Sequence, residues 1–72
     1  MQFTVEAKRK EDGRWQATVL ELTGVLAQGR SPEEAISRAQ IIALREVADQ
    51  IEQGLAATGL FSIAFEPLVY ER

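Results

Sequence analysis

The sequence predicts a single small α+β domain of order β-β-β-α-β, and three observations carry that expectation. Apolar residues alternate with polar ones near the N terminus and again after residue 60, a capped helix start stands at Ser31-Pro32, and Asp12-Gly13 and Thr23-Gly24 mark turns between the early apolar runs. A chain of 72 residues has room for one core, so the domain spans residues 1–72. A core of this size supplies only roughly 3–5 kcal/mol, and support from a second chain is expected.

The first strand is expected over residues 2–8, with Phe3, Val5 and Ala7 on one face and Thr4, Glu6 and Lys8 on the other. Asp12-Gly13 tolerates positive φ at a hairpin tip and leads into a second strand over 14–22, where Trp15, Ala17 and Val19 alternate with Gln16, Thr18 and Leu20. A short third strand over 25–28 completes an antiparallel meander, covered on one face and open on the other. Gly24 and Gly29, which flank it, read as turn glycines.

Ser31 caps a helix expected over 32–53, Pro32 takes its first position, Glu34 stands three residues after the cap, and Gly54 ends it. A fourth strand is expected over 60–66 through Phe61, Ile63 and Phe65. Pro67 cannot donate a ladder hydrogen bond and is expected to end that strand, leaving Val69 and Tyr70 to pack on a neighbour.

At about 100° per residue the helix carries two apolar stripes. Ala35, Ala39, Ile42 and Ala43, with Ile36 and Val47 beside them, suit packing on the sheet. Ile41, Leu44, Ala48, Ile51 and Leu55 follow a three-four-three-four spacing, which is that of a helix paired with another helix. Glu34, Arg38, Arg45, Asp49 and Glu52 crowd the remaining arc, with Glu34–Arg38 and Arg45–Asp49 pairs at one-turn spacing. Two readings of the second stripe stand: Leu55 and residues 56–60 fold back over it, or it is an interface. We take the interface, with Ile41, Leu44, Ala48 and Ile51 as self-association residues in a dimer or tetramer.

The absence of cysteine and histidine removes disulfides, thiol nucleophiles, thiolate or imidazole zinc sites and imidazole acid–base chemistry. A net charge of −3 is the wrong sign for unaided binding to a phosphate backbone, so no direct nucleic-acid ligand is expected. No apolar run approaches a membrane span and no signal peptide opens the chain, which reads as soluble and cytoplasmic. Lys8, Arg9 and Lys10 are diluted by Glu11 and Asp12 and read as a solvated hairpin rim. Ser31 and Ser37 have no histidine or lysine base, and no metal or cofactor site is expected. Glu6, Glu21 and Asp49 are the only carboxylates that could converge on Mg²⁺ for a minimal metal-dependent nuclease, the least favoured reading. Leu20, Leu22 and Leu26 are the candidate partner-facing residues, and Trp15 is assigned to the core.

Taken in order, the alternating first strand, the turn ending Asp12-Gly13, Trp15 and Ala17, Glu21-Leu22-Thr23-Gly24-Val25, Gln28-Gly29 and Ser31-Pro32-Glu33-Glu34-Ala35 form a connected pattern. This succession resembles the HicB-like antitoxin family over about residues 3–65. Thr23 stands where that family often has Pro, Val25 where it often has Cys, and Arg30 where Asp is common. The resemblance implies a partial ribonuclease-H-like β-β-β-α-β domain without a working carboxylate set. It further implies oligomerisation and the masking of a small basic mRNA-cleaving toxin. The C-terminal DNA-binding module of many members is not found in these 72 residues, so DNA-linked autorepression is not expected.

The expected function is therefore non-catalytic: an antitoxin-type protein-binding module. An orphan oligomeric adaptor, or a binder of a small ligand between subunits, is the alternative.

Overall fold

The computed structural model describes residues 2–54 and 63–70. Strand β1 (Gln2–Arg9) pairs antiparallel with β2 (Trp15–Val19), which pairs antiparallel with β3 (Leu26–Gly29). Helix α1 (Pro32–Glu52) follows, and β4 (Ala64–Tyr70) then lies parallel to β1 at the far edge. The result is a four-stranded mixed sheet of order β3-β2-β1-β4 with one helix on one face, the α+β architecture that the hydropathy pattern predicts.

Alternation in β1 and β2 selects the covered face. Phe3, Val5, Ala7, Ala17 and Val19 are buried beneath α1, together with Val25 and Ala27. The helix meets them through Ala35, Ala39, Ala43 and Val47, so three of its four buried contacts are methyl groups and the helix lies close to the sheet. Trp15, Leu22, Ile36 and Phe65 pack at the margin of this core, the Phe65 ring centroid 5.6 Å from that of Phe3.

Local chemistry places the ends of α1 as the cap residues suggest. Ser31 is extended, its Oγ accepts from the Glu34 N–H at 3.1 Å, and Pro32 begins the helix. Loss of such a cap costs about 1 kcal/mol. The helix ends at Glu52, with Gln53 as C-cap and Gly54 at φ 72°. In the first hairpin Gly13 adopts φ 89°, and the Asp12 Oδ1 accepts from the Arg14 N–H at 3.0 Å.

Several expectations are corrected. Strand β2 stops at Val19 instead of reaching residue 22, because the Leu22 N–H turns back to the Val19 carbonyl and Gly24 takes φ 84°. Gly29 is no turn glycine but the last residue of β3: a Cβ there would stand 2.7 Å from the Ala35 nitrogen, so the strand end and the first helical turn can approach only without a side chain. Ile42 is exposed instead of core, for it stands on the flank of the alanine stripe, roughly 80° from its centre. The Arg45–Asp49 pair is not formed, while Glu34–Arg38 closes at 3.8 Å.

Pro67 does not end β4. The Leu20 N–H donates to the Thr4 carbonyl, so Thr4 turns its backbone groups toward β2 and the alternate residues, Val5 among them, turn theirs toward β4. Val5 stands opposite Pro67, and in a parallel ladder its bonds go to the residues on either side, Glu66 and Leu68. The proline nitrogen therefore faces the outer edge, where no donor is needed, and the strand continues to Tyr70. The expected strand positions 60–62 and the expected fold-back of Leu55 and residues 56–60 lie outside the described residues.

Candidate interaction surfaces

The open face of the sheet is polar in its middle and carries apolar residues at each of its two margins, beside Gln28 on β3 and Glu66 on β4. Thr4, Glu6, Lys8, Gln16 and Thr18 occupy the centre, where Lys8 Nζ lies 3.4 Å from the Glu6 carboxylate. At one margin Leu26 stands opposite Thr18 and Leu20 lies diagonally from it, with 54% of Leu20 and 48% of Leu26 exposed. At the other margin Leu68 is opposite Glu6, and Tyr70 is opposite Lys8, whose ammonium lies 6.0 Å from the ring centroid.

Of the three residues expected to face a partner, Leu20 and Leu26 share this surface. Leu22 does not, since it packs against the core. Leu68 was not foreseen from the sequence, because a strand halted at residue 66 has no place for it, and Tyr70, expected only to pack on a neighbour, is a strand residue of this margin.

Glu21 holds the turn that presents Leu20. Its Oε1 accepts the Thr4 N–H at 2.7 Å and takes over from main-chain carbonyls as the ladder ends. That hydrogen bond holds the Glu21 carboxyl below its ordinary pKa. Of the three carboxylates considered for Mg²⁺, Glu21 accepts from the Thr4 N–H, Glu6 lies beside Lys8, and Asp49 is on the helix. Among the described residues no group of three or more acidic side chains is gathered to hold a metal ion.

The outward side of α1 is the second apolar surface. Ile41, Leu44 and Ile51 keep 49%, 45% and 49% of their area exposed, and Ala48 between them is exposed as well. Their mean direction lies roughly 140° from that of Ala35, Ala39, Ala43 and Val47. The second stripe thus occupies the back of the helix, turned away from the sheet.

A third feature is a depression of about 340 Å³ at the β3 edge, lined by Arg14, Gln28, Gly29, Arg30, Glu34 and Arg38. Arg38 Nη1 donates to the Gln28 carbonyl at 2.9 Å, and Glu34 Oε1 accepts the Arg30 N–H at 2.8 Å. Arg14 lies 4.0 Å from the Asp12 carboxylate and Arg38 3.8 Å from that of Glu34, so two of the three guanidinium groups at this depression already face an acidic side chain. The spacing of Arg14, Arg30 and Arg38 in the sequence carries no motif; only the meeting of hairpin, strand end and helix start brings them together.

No helix among the described residues is long and apolar enough to cross a membrane. No protein-family model matches the chain, and neither a curated protein nor a solved structure matches it.

Proposed function

We propose that this chain is a non-catalytic protein-binding module, and that its partner is the kind its HicB-like sequence pattern implies: a small basic ribonuclease toxin neutralised by masking. The observation that carries the binding role is the exposure of large aliphatic side chains on both outer faces of a two-layer domain, Leu20 and Leu26 on the sheet and Ile41, Leu44 and Ile51 on the helix. Exposed apolar groups supply the desolvated centre of an interface, and a net charge of −3 steers a basic partner toward it. The sheet margin is assigned to the toxin and the helix to self-association. The test is growth of cells induced to express the reading frame adjacent to this one, alone and together with this chain. Arrest that co-expression relieves supports the reading; the absence of any toxic neighbour contradicts it.

The arginine-lined depression favours a second reading, an oligomeric module that takes up a small anionic ligand. Saturable stabilisation of the folded chain by inorganic phosphate, lost in Arg30→Met, is the result that reading requires.

A further inference from the structure

The two edges of the sheet differ in how they meet solvent. At the β4 edge the backbone groups of Phe65, Pro67 and Val69 face outward, and the proline interrupts the row of donors. The β3 edge has no proline. There the Val19 N–H donates to the Val25 carbonyl, so Val25, Ala27 and Gly29 turn their backbone groups toward β2, while Leu26, Gln28 and Arg30 turn theirs outward. An outward row of this kind is a template on which an extended chain can add.

Two of these outward groups are taken by side chains of the helix that follows. Arg38 Nη1 donates to the Gln28 carbonyl at 2.9 Å, the Arg30 N–H donates to Glu34 Oε1 at 2.8 Å, and Arg38 Nη2 lies 3.8 Å from that same carboxylate oxygen. The Gln28 carbonyl and the Arg30 N–H flank Gly29, and in a parallel ladder they are the acceptor and the donor that a single residue of an added strand would use. An added antiparallel strand needs the same carbonyl. We propose that the Glu34–Arg38 pair is a clasp that closes the β3 edge to strand addition, so that other chains reach this domain through its faces and not by extending its sheet. The proposal goes beyond the binding reading above and holds whatever the partner is.

The local chemistry is that of a clasp. Residues 34 and 38 stand one turn apart, so both side chains reach the edge from one side of the helix. Gly29 admits them, because a Cβ there would stand 3.0 Å from the Cβ and Cγ of Glu34. A capping-box glutamate reaches back to the N–H of the cap residue itself. Glu34 reaches one residue farther, past Ser31 to the outward N–H of Arg30. The ion pair is open to solvent, with 58% of the Arg38 and 40% of the Glu34 side chain exposed, and pairs of that kind add little stability. Its bonds to the strand are therefore its main consequence. The part of the edge left unclasped is short, since β3 has only 4 residues.

The outward N–H groups of Leu26 and Gln28 report this edge directly by their exchange with solvent. The experiment follows amide hydrogen exchange by NMR in wild type, Arg38→Ala and Glu34→Ala over a range of protein concentrations; alanine keeps the helix and removes one half of the clasp. In wild type both amides are expected to exchange fast at every concentration. In either variant they slow several-fold as concentration rises and a second copy adds at the opened edge, while Glu6 and Thr18, which pair at the centre of the sheet, stay equally slow in all three chains and show that the fold is intact. Adding Gln28→Pro to Arg38→Ala gives β3 the device that Pro67 gives β4, and Leu26 returns to fast exchange. Variants whose Leu26 and Gln28 amides stay as fast as in wild type overturn the clasp, and so does a wild-type chain whose amides slow as theirs do. Protection that persists in the Arg38→Ala/Gln28→Pro chain overturns it as well, because it arises away from the edge. Association through the back of α1 leaves these two amides fast, so failure of the clasp and failure of the binding reading are read separately.

Discussion

The two sides of α1 invert the usual distribution of size. The side against the sheet carries Ala35, Ala39, Ala43 and Val47, whereas the side turned away carries Ile41, Leu44 and Ile51. Among the described residues the core accordingly holds no leucine or isoleucine that is fully buried; Val5 and Val19 are the largest fully buried side chains. Small residues bring helix and sheet close together, which leaves no room inside for the isoleucines and leucines. Placing them outside is costly for an isolated domain and useful for one that binds. The lesson is that on this helix size does not mark the core: its alanines face the sheet while Ile41, Leu44 and Ile51 face outward.

Substitutions on the two sides should therefore diverge. Ala39→Leu forces three extra carbons between helix and strands, and the expected loss is about 1–3 kcal/mol, a large share of the stability of so small a core. Denaturant titration reads it directly, and a neutral result would show that the helix stands farther from the sheet than its alanine contacts imply. Gly29→Ala belongs with the inner side. Its new methyl group would stand 2.7 Å from the Ala35 nitrogen, and a loss of about 1–2 kcal/mol is expected in the same titration.

Glu21→Gln has the smallest expected effect. Because the Thr4 N–H holds the folded-state pKa of Glu21 below its unfolded value, the stabilisation is fully present above the unfolded pKa and is lost as pH falls through the folded one. Thermal melting of wild type and Glu21→Gln across that acidic window should show a shallower decline in the variant. Parallel curves would separate Glu21 from the acid response of the fold.

The parts that were legible in the sequence are those fixed by neighbours in the chain. The alternation of Phe3, Val5 and Ala7, the Asp12-Gly13 tip, and the Ser31-Pro32 start with Gly54 past the end all depend on residues a few positions apart. What escaped depends on register and on distance between elements. Whether the missing donor of Pro67 matters is decided by which way its nitrogen faces, and that follows from the pairing of Val5 with β4. Gly29 differs from Gly24 only because α1 crosses close to it. The outer helix stripe was legible from its spacing, as was the Leu20 and Leu26 pair, while Leu22 was misplaced because the turn after Val19 directs it inward.

The central claim, that the back of α1 is a contact surface and not a displaced part of the core, is tested most directly by sedimentation equilibrium of wild type and Leu44→Asp, with denaturant titration of both at low concentration. The account predicts a wild-type mass that rises with concentration, a Leu44→Asp mass that stays at one chain, and monomer stabilities within about 0.5 kcal/mol of each other. A Leu44→Asp chain that loses stability as a core variant does, with its mass no different from wild type, would contradict it.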